Sequence, residues 1–270
     1  MPLRHLIATF NQRFATDNQL ESFPFFYDGK DVNGRTGDLT FSTTLKPVRL
    51  HARPDQITGH EALSRILSKN STGSTFRSFD QVVCLDRLMR TVHMLNYLPL
   101  SDNSKDLFLP VNPSHLLTIK KDHGAYFEEI ILRCGLPLRR IVISLNIGKA
   151  LEPELPLLLE RLSNYRNRGY STAIRFDDSL NTVFLENFCL HHLHRHTADF
   201  LRFNLRFFRA SFAEYTGHRR RGALLRAIRH QDLQLVVAGV DCDSDAQAVE
   251  SIFPDHVQGL WYESRQATPA

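Results

Sequence analysis

The chain has 270 residues, 42% of them hydrophobic, and a net charge of +4 from 33 Lys and Arg against 29 Asp and Glu. That length suits one large α/β barrel or two small domains, and 19 Phe give it material for a sizeable core. No apolar run approaches the roughly 20 residues that span a bilayer, so no membrane role is expected.

From the N-terminus, Leu3, Ile7, Phe10 and Phe14 recur at helical intervals. The small-residue cleavage site of a signal peptide is missing, which points to a soluble, cytoplasmic protein. Residues 1–36 read as an N-terminal extension or cap, and residues 37–270 as one domain. A strand is expected over residues 43–50, then a short turn around Arg53-Pro54-Asp55, then a helix carrying Glu61-Ala62-Leu63. Residues 68–75 are polar and too short for an interdomain tether, so they read as a surface loop.

Beyond residue 76 the periodicity alternates. Val82, Val83, Leu85, Leu88, Met89, Val92 and Leu95 keep helical spacing over residues 79–98. A short apolar strand follows at 107–111, a helix at 126–132, and the β-branched run Ile141-Val142-Ile143 opens a strand buried on both faces. A leucine-rich helix at 152–165 ends near Gly169. Strands at 170–176, 200–205, 233–237 and 257–261 and helices at 224–230 and 245–252 complete the series. Repeated helix–strand units in one chain imply a parallel sheet closed into an α/β, TIM-like (β/α) barrel.

Other features carry weaker signals. Cys84, Cys134, Cys189 and Cys242 lie far apart without CxxC spacing and read as reduced, packed thiols. His191-His192-Leu193-His194-Arg195-His196 has the spacing to chelate a transition metal, but a polar helix-to-strand connection explains it more simply. The run Arg219-Arg220-Arg221, with Arg226 and Arg229, would suit phosphates or nucleic acid; a solvated helix start is the simpler reading. Neither a Gly-x-Ser-x-Gly elbow nor a phosphate-cradling Gly-rich loop occurs.

A set of landmarks in order resembles the EAL domains, the bacterial phosphodiesterases that cleave cyclic di-GMP. They are Lys46-Pro47-Val48, Glu61-Ala62-Leu63 with Arg65, Pro110-Val111-Asn112-Pro113 and Ser144-Leu145-Asn146-Ile147. The later ones are the strand through Arg175-Phe176-Asp177-Asp178, then Arg202-Phe203-Asn204, Val237-Ala238-Gly239-Val240-Asp241 and Gln258-Gly259. The resemblance implies a barrel of the EAL type and a vestigial cyclic di-GMP pocket formed by Lys46, Glu61, Leu63, Arg65, Arg175, Arg202 and Gln258.

In the family, two-metal hydrolysis uses several oxygen ligands. Of these the alignment keeps Glu61. Pro110 stands for the family's Asn, Ser144 for a strand Glu, Arg175 and Phe176 for an Asp pair, and Ala238 for a late Glu. Shifting the pair to Asp177-Asp178 would move it roughly 6–7 Å along the strand, past its end. The expectation is therefore no catalytic residues, no Mg or Mn cofactor, and a catalytically inactive regulator acting through a protein partner, such as a transcriptional regulator or signalling protein. Cyclic di-GMP binding without cleavage is the alternative, and a homodimer is plausible by resemblance.

Overall fold

The computed structural model describes residues 3–18, 24–69, 79–118, 124–193, 197–206, 209 and 217–264. The first element is helix α1 (Leu3–Asn18), whose Leu6, Ile7, Phe10 and Phe14 are buried along one face. Short strands β1 (Phe25–Tyr27) and β2 (Val32–Thr36) lead into β3 (Leu39–Leu50) and β4 (Arg53–Lys69), a long antiparallel hairpin.

The remaining chain alternates as the periodicity predicts. Helix α2 (Phe79–Tyr97) precedes β5 (Asp106–Val111); α3 (Pro113–Thr118) and α4 (Ala125–Arg133) precede β6 (Ile141–Ile147). Next come α5 (Leu155–Asn167), β7 (Ser171–Phe176), α6 (Thr182–His191) and β8 (Phe200–Asn204). Helix α7 (Gly217–His230), β9 (Gln234–Ala238), α8 (Asp243–Glu250), β10 (His256–Gln258) and α9 (Leu260–Ser264) end the described chain.

Ten strands form one sheet in the order β1-β2-β3-β10-β9-β8-β7-β6-β5-β4, and the β3–β4 pairing closes the last eight into a barrel. Strands β4 to β10 run parallel to their successive neighbours, while β3 is antiparallel to both β4 and β10. Strands β1 and β2 extend the sheet from the outer half of β3. The bore is packed by Val48, Phe108, Val142, Ala173, Phe200 and Val236, while α1 and the other helices share a second, larger core outside the strands.

Several local expectations are corrected. Glu61-Ala62-Leu63 lies on β4, not on a helix, and Arg53 already belongs to that strand; the hairpin turns at His51-Ala52. Cross-strand pairing along β3 overrides the helical propensity of Glu-Ala-Leu. The last strand stops at Gln258, and Trp261 sits on α9. Ser68 and Lys69 are the end of β4, and the rest of the expected loop lies outside the described residues. The expected helix stop at Gly169 holds: α5 ends at Asn167, and Gly169 has φ of +91°, where a side chain would be strained.

Candidate functional site at the barrel mouth

Side chains alternate across each strand, so the buried bore layer fixes which residues point inward. Two residues further along from Val142, Ala173, Phe200 and Val236 stand Ser144, Arg175, Arg202 and Ala238. Pro110 follows Phe108 in the same way, and Lys46 precedes Val48 on the antiparallel β3. Glu61 pairs with Lys46 across β3–β4, and Gln258 pairs with Ala238 across β9–β10. These eight positions make one ring at the carboxyl ends of the parallel strands.

The floor of this ring is an ion pair across the bore. Arg202 donates from Nη2 to Glu61 Oε2 at 2.6 Å and also to Gln258 Oε1. Gln258 in turn donates from Nε2 to the Lys46 carbonyl at 3.2 Å. Arg175 donates from Nη1 to the other Glu61 oxygen at 3.4 Å. Arg202 and Glu61 are buried, while Arg175 keeps a side-chain exposure of 41%. Burial pulls the Arg202 pKa down, the Glu61 carboxylate raises it, and Arg175 lowers it again. The group remains a cation because arginine stays charged in proteins.

The other sequence-derived candidates fall elsewhere on β4. Leu63 lies two residues beyond Glu61, facing Thr44 across the hairpin. Arg65 is half-exposed and pairs with Asp31 at 2.8 Å. It stands four residues past Glu61, roughly 13 Å along the strand. The structure thus brings Lys46, Glu61, Arg175, Arg202 and Gln258 together and leaves Arg65 outside the ring.

Phe176 does not face the mouth. It points outward and packs on Phe188, Phe203 and Phe184, with centroids 5.0, 5.0 and 6.2 Å away. Asp177 sits past the end of β7, where its carboxylate accepts from the Ser179 backbone N–H at 2.8 Å and from the Ser179 hydroxyl. Asp178 is exposed in the same turn. Gln258-Gly259 has a steric reason for its glycine: a Cβ there would lie 2.0 Å from the Val240 carbonyl oxygen. Asn146, inward by the same parity as Ser144 and exposed at the rim, escaped sequence reasoning; its i+2 spacing from Ser144 was the available signal.

No family model and no curated protein sequence matches the chain. Solved structures do match. A standalone EAL protein from Vibrio cholerae in its c-di-GMP-bound form gives a TM-score of 0.61 at 16% identity, covering 83% of this chain and 91% of that one. The Mycobacterium smegmatis DcpA EAL domain gives 0.59 at 16%, covering 82% and 91%. The fold is the EAL fold. The Bacillus subtilis YkuI protein, with an EAL domain and in complex with c-di-GMP and calcium, gives 0.60 at 18%. Here the match covers 82% of this chain but 54% of that protein.

An EAL-fold mouth is tested for a metal by its donor set. Both Glu61 oxygens are engaged by arginines, and Pro110, Ser144, Arg175 and Ala238 add no carboxylate. Among the described residues no group of three His, Cys, Asp or Glu has metal-holding geometry. These residues do not fit a divalent ion, and two guanidinium groups beside the carboxylate oppose one by charge.

The remaining motifs have plain positions. His191 ends α6 and His192 follows it; His194 to His196 lie outside the described residues. Arg219, Arg220 and Arg221 stand in the first turns of α7. The four cysteines are free, and burial pushes the Cys134 and Cys189 thiols up to about 12, which makes them inert packing groups. No described helix is long and apolar enough to cross a membrane.

Proposed function

We propose that this EAL-fold barrel is a regulatory binding protein in bacterial cyclic di-GMP-related signalling, acting through a protein partner and not by cleaving a phosphodiester. The observation that carries this reading is the Arg202–Glu61–Arg175 cluster. In a two-metal hydrolase the inner carboxylates must be free to bind cations and to help activate water. Here the ring's one carboxylate neutralises an internal arginine, and the ring supplies no second acidic group.

The decisive measurement is turnover. Purified protein incubated with cyclic di-GMP and Mn²⁺ or Mg²⁺ is expected to yield no linear dinucleotide above a no-protein control. Metal-dependent product that disappears in Glu61→Gln would overturn the reading.

A second reading, a cyclic di-GMP receptor, is favoured by one feature. Lys46 and Arg175 present cations at the open rim, where an anionic nucleotide would meet them. Calorimetric titration with cyclic di-GMP, with and without divalent metal, separates the two. Micromolar binding supports the receptor, and no heat at high concentration retires it.

A further inference from the structure

The mouth has more hydrogen-bond donors than acceptors. Arg202 is 2% exposed, yet among the described residues its Nε and Nη1 atoms meet no partner. Among the described residues, neither Lys46 Nζ nor Ser144 Oγ has a hydrogen-bond partner, and Arg175 reaches only Glu61, at 3.4 Å. Against these donors stands one carboxylate whose two oxygens are already accepting. Three cations (Lys46, Arg175, Arg202) less one anion (Glu61) leave two positive charges in one ring.

Buried donors without acceptors are costly, and more so when charged. Those two Arg202 atoms are closed off from solvent, so a ligand at the rim meets Lys46, Arg175 and Ser144 and offsets the charge surplus that Arg202 adds from below. Pro110, Ser144 and Ala238 carry short side chains at other positions of the ring, and the Arg175 side chain keeps 41% exposure.

We propose that the barrel mouth binds a phosphomonoester group, held by Arg175, Lys46 and the Ser144 hydroxyl above the buried Arg202. A phosphomonoester carries three terminal oxygens and a charge of about −1.5 to −2 at neutral pH. That matches the ring's surplus at a single point. A phosphodiester or a carboxylate brings one charge and two terminal oxygens, and leaves the surplus half met. Guanidinium forks suit phosphate geometry, and Lys46 adds a point charge. This inference rests on reading the barrel as a binder, and it specifies the chemistry of what is bound. The group can belong to a free phosphomonoester or to a phosphorylated side chain of a protein partner.

The test is calorimetry on the full chain in EDTA, using inorganic phosphate, phenyl phosphate, a phosphoserine tripeptide, dimethyl phosphate and cyclic di-GMP. Saturable binding of phosphate and phenyl phosphate is expected, with dimethyl phosphate at least tenfold weaker. Lys46→Ala and Arg175→Ala are each expected to weaken phenyl phosphate about tenfold, and Ser144→Ala about threefold. Lys46 is exposed, Arg175 half-exposed and Ser144 partly so; their unfolding midpoints verify that these variants keep the fold. A tripeptide tighter than phenyl phosphate assigns the group to a protein partner, and the reverse assigns it to a small molecule. The proposal is overturned by absent binding, by equal affinity in the Lys46→Ala/Arg175→Ala double variant, or by a diester binding as tightly as the monoester. The turnover assay is independent: hydrolysis beside intact phosphate binding sinks only the functional reading, and absent phosphate binding without hydrolysis sinks only this one.

Discussion

Arg202 and Glu61, 141 residues apart in sequence, meet across the bore at 2.6 Å with both side chains buried. The attraction is offset by the loss of hydration of both ions, so the pair is a weak source of net stability. Breaking it is different. Glu61→Ala leaves a buried guanidinium without its carboxylate, and we expect a loss of about 3–5 kcal/mol. Glu61→Leu combined with Arg202→Met removes both charges at similar volume and is expected within about 1 kcal/mol of the parent or above it. Urea unfolding of the parent, both single variants and the pair measures the coupling. A coupling below about 0.5 kcal/mol would show that the two side chains do not depend on each other.

Gly259 and Gly135 separate steric from conformational reasons for glycine. At Gly259 an added Cβ meets the Val240 backbone at 2.0 Å, and backbone cannot give way as a side chain tip can. Gly259→Ala is expected to cost on the order of 4 kcal/mol, at the exceptional end for a point change. Gly135 has φ of +72° and open space around its Cβ direction. Gly135→Ala should therefore cost about 1–2 kcal/mol, from left-handed backbone alone. Equal thermal shifts in the two variants would contradict the close approach of Gly259 to Val240.

His93 makes stability depend on pH. It is buried on α2, with Nδ1 2.8 Å from Thr43 Oγ1 and Nε2 3.3 Å from Ser64 Oγ. Burial pushes its pKa down from 6.5 to about 4. Between those values the unfolded chain binds the proton and the folded chain does not, so stability falls as pH drops through the window. At pH 4.5 the loss from this group is about 2.5 kcal/mol relative to pH 7.5. Burial also lowers the pKa of His60, His115 and His256, which adds loss of the same sign. Urea unfolding at the two pH values should show a smaller drop for His93→Gln than for the parent. An identical drop would remove His93 from the account.

Much of the barrel was legible because its strands are buried on both faces. The β-branched opening of β6, Ile141-Val142-Ile143, and the buried Ala173-Ile174 of β7 lie between helical stretches, which leaves few alternatives to a parallel sheet. The same two-sided burial hides which face a residue occupies, so Arg175 and Phe176 could not be assigned to bore or exterior from sequence. Local preference alone puts Glu61-Ala62-Leu63 on a helix; the partner that makes it a strand, Thr44-Leu45-Lys46, only declares itself through pairing. The side-chain contacts at the mouth and beside it are beyond sequence patterning altogether. Nothing near Arg65 points to Asp31, 34 residues earlier, and nothing near Glu61 points to Arg202.

Register parity yields the last prediction, at adjacent residues of β7. Phe176 lies at 1% exposure among three aromatic rings, whereas the Arg175 side chain opens to the mouth at 41%. Phe176→Ala removes a packed ring and is expected to cost about 3–5 kcal/mol. Phe176→Asp adds an unpaired buried carboxylate to that loss and should not fold. Arg175→Asp places its carboxylate at the rim, in register with Arg202 on β8, and should fold with stability within about 1 kcal/mol of the parent, the usual range for a surface change being about 0.5. Circular dichroism and unfolding midpoints check all three. If Phe176→Asp folded and Arg175→Asp did not, the inward and outward faces of β7 would be reversed, and the ring built on that parity would fall with them.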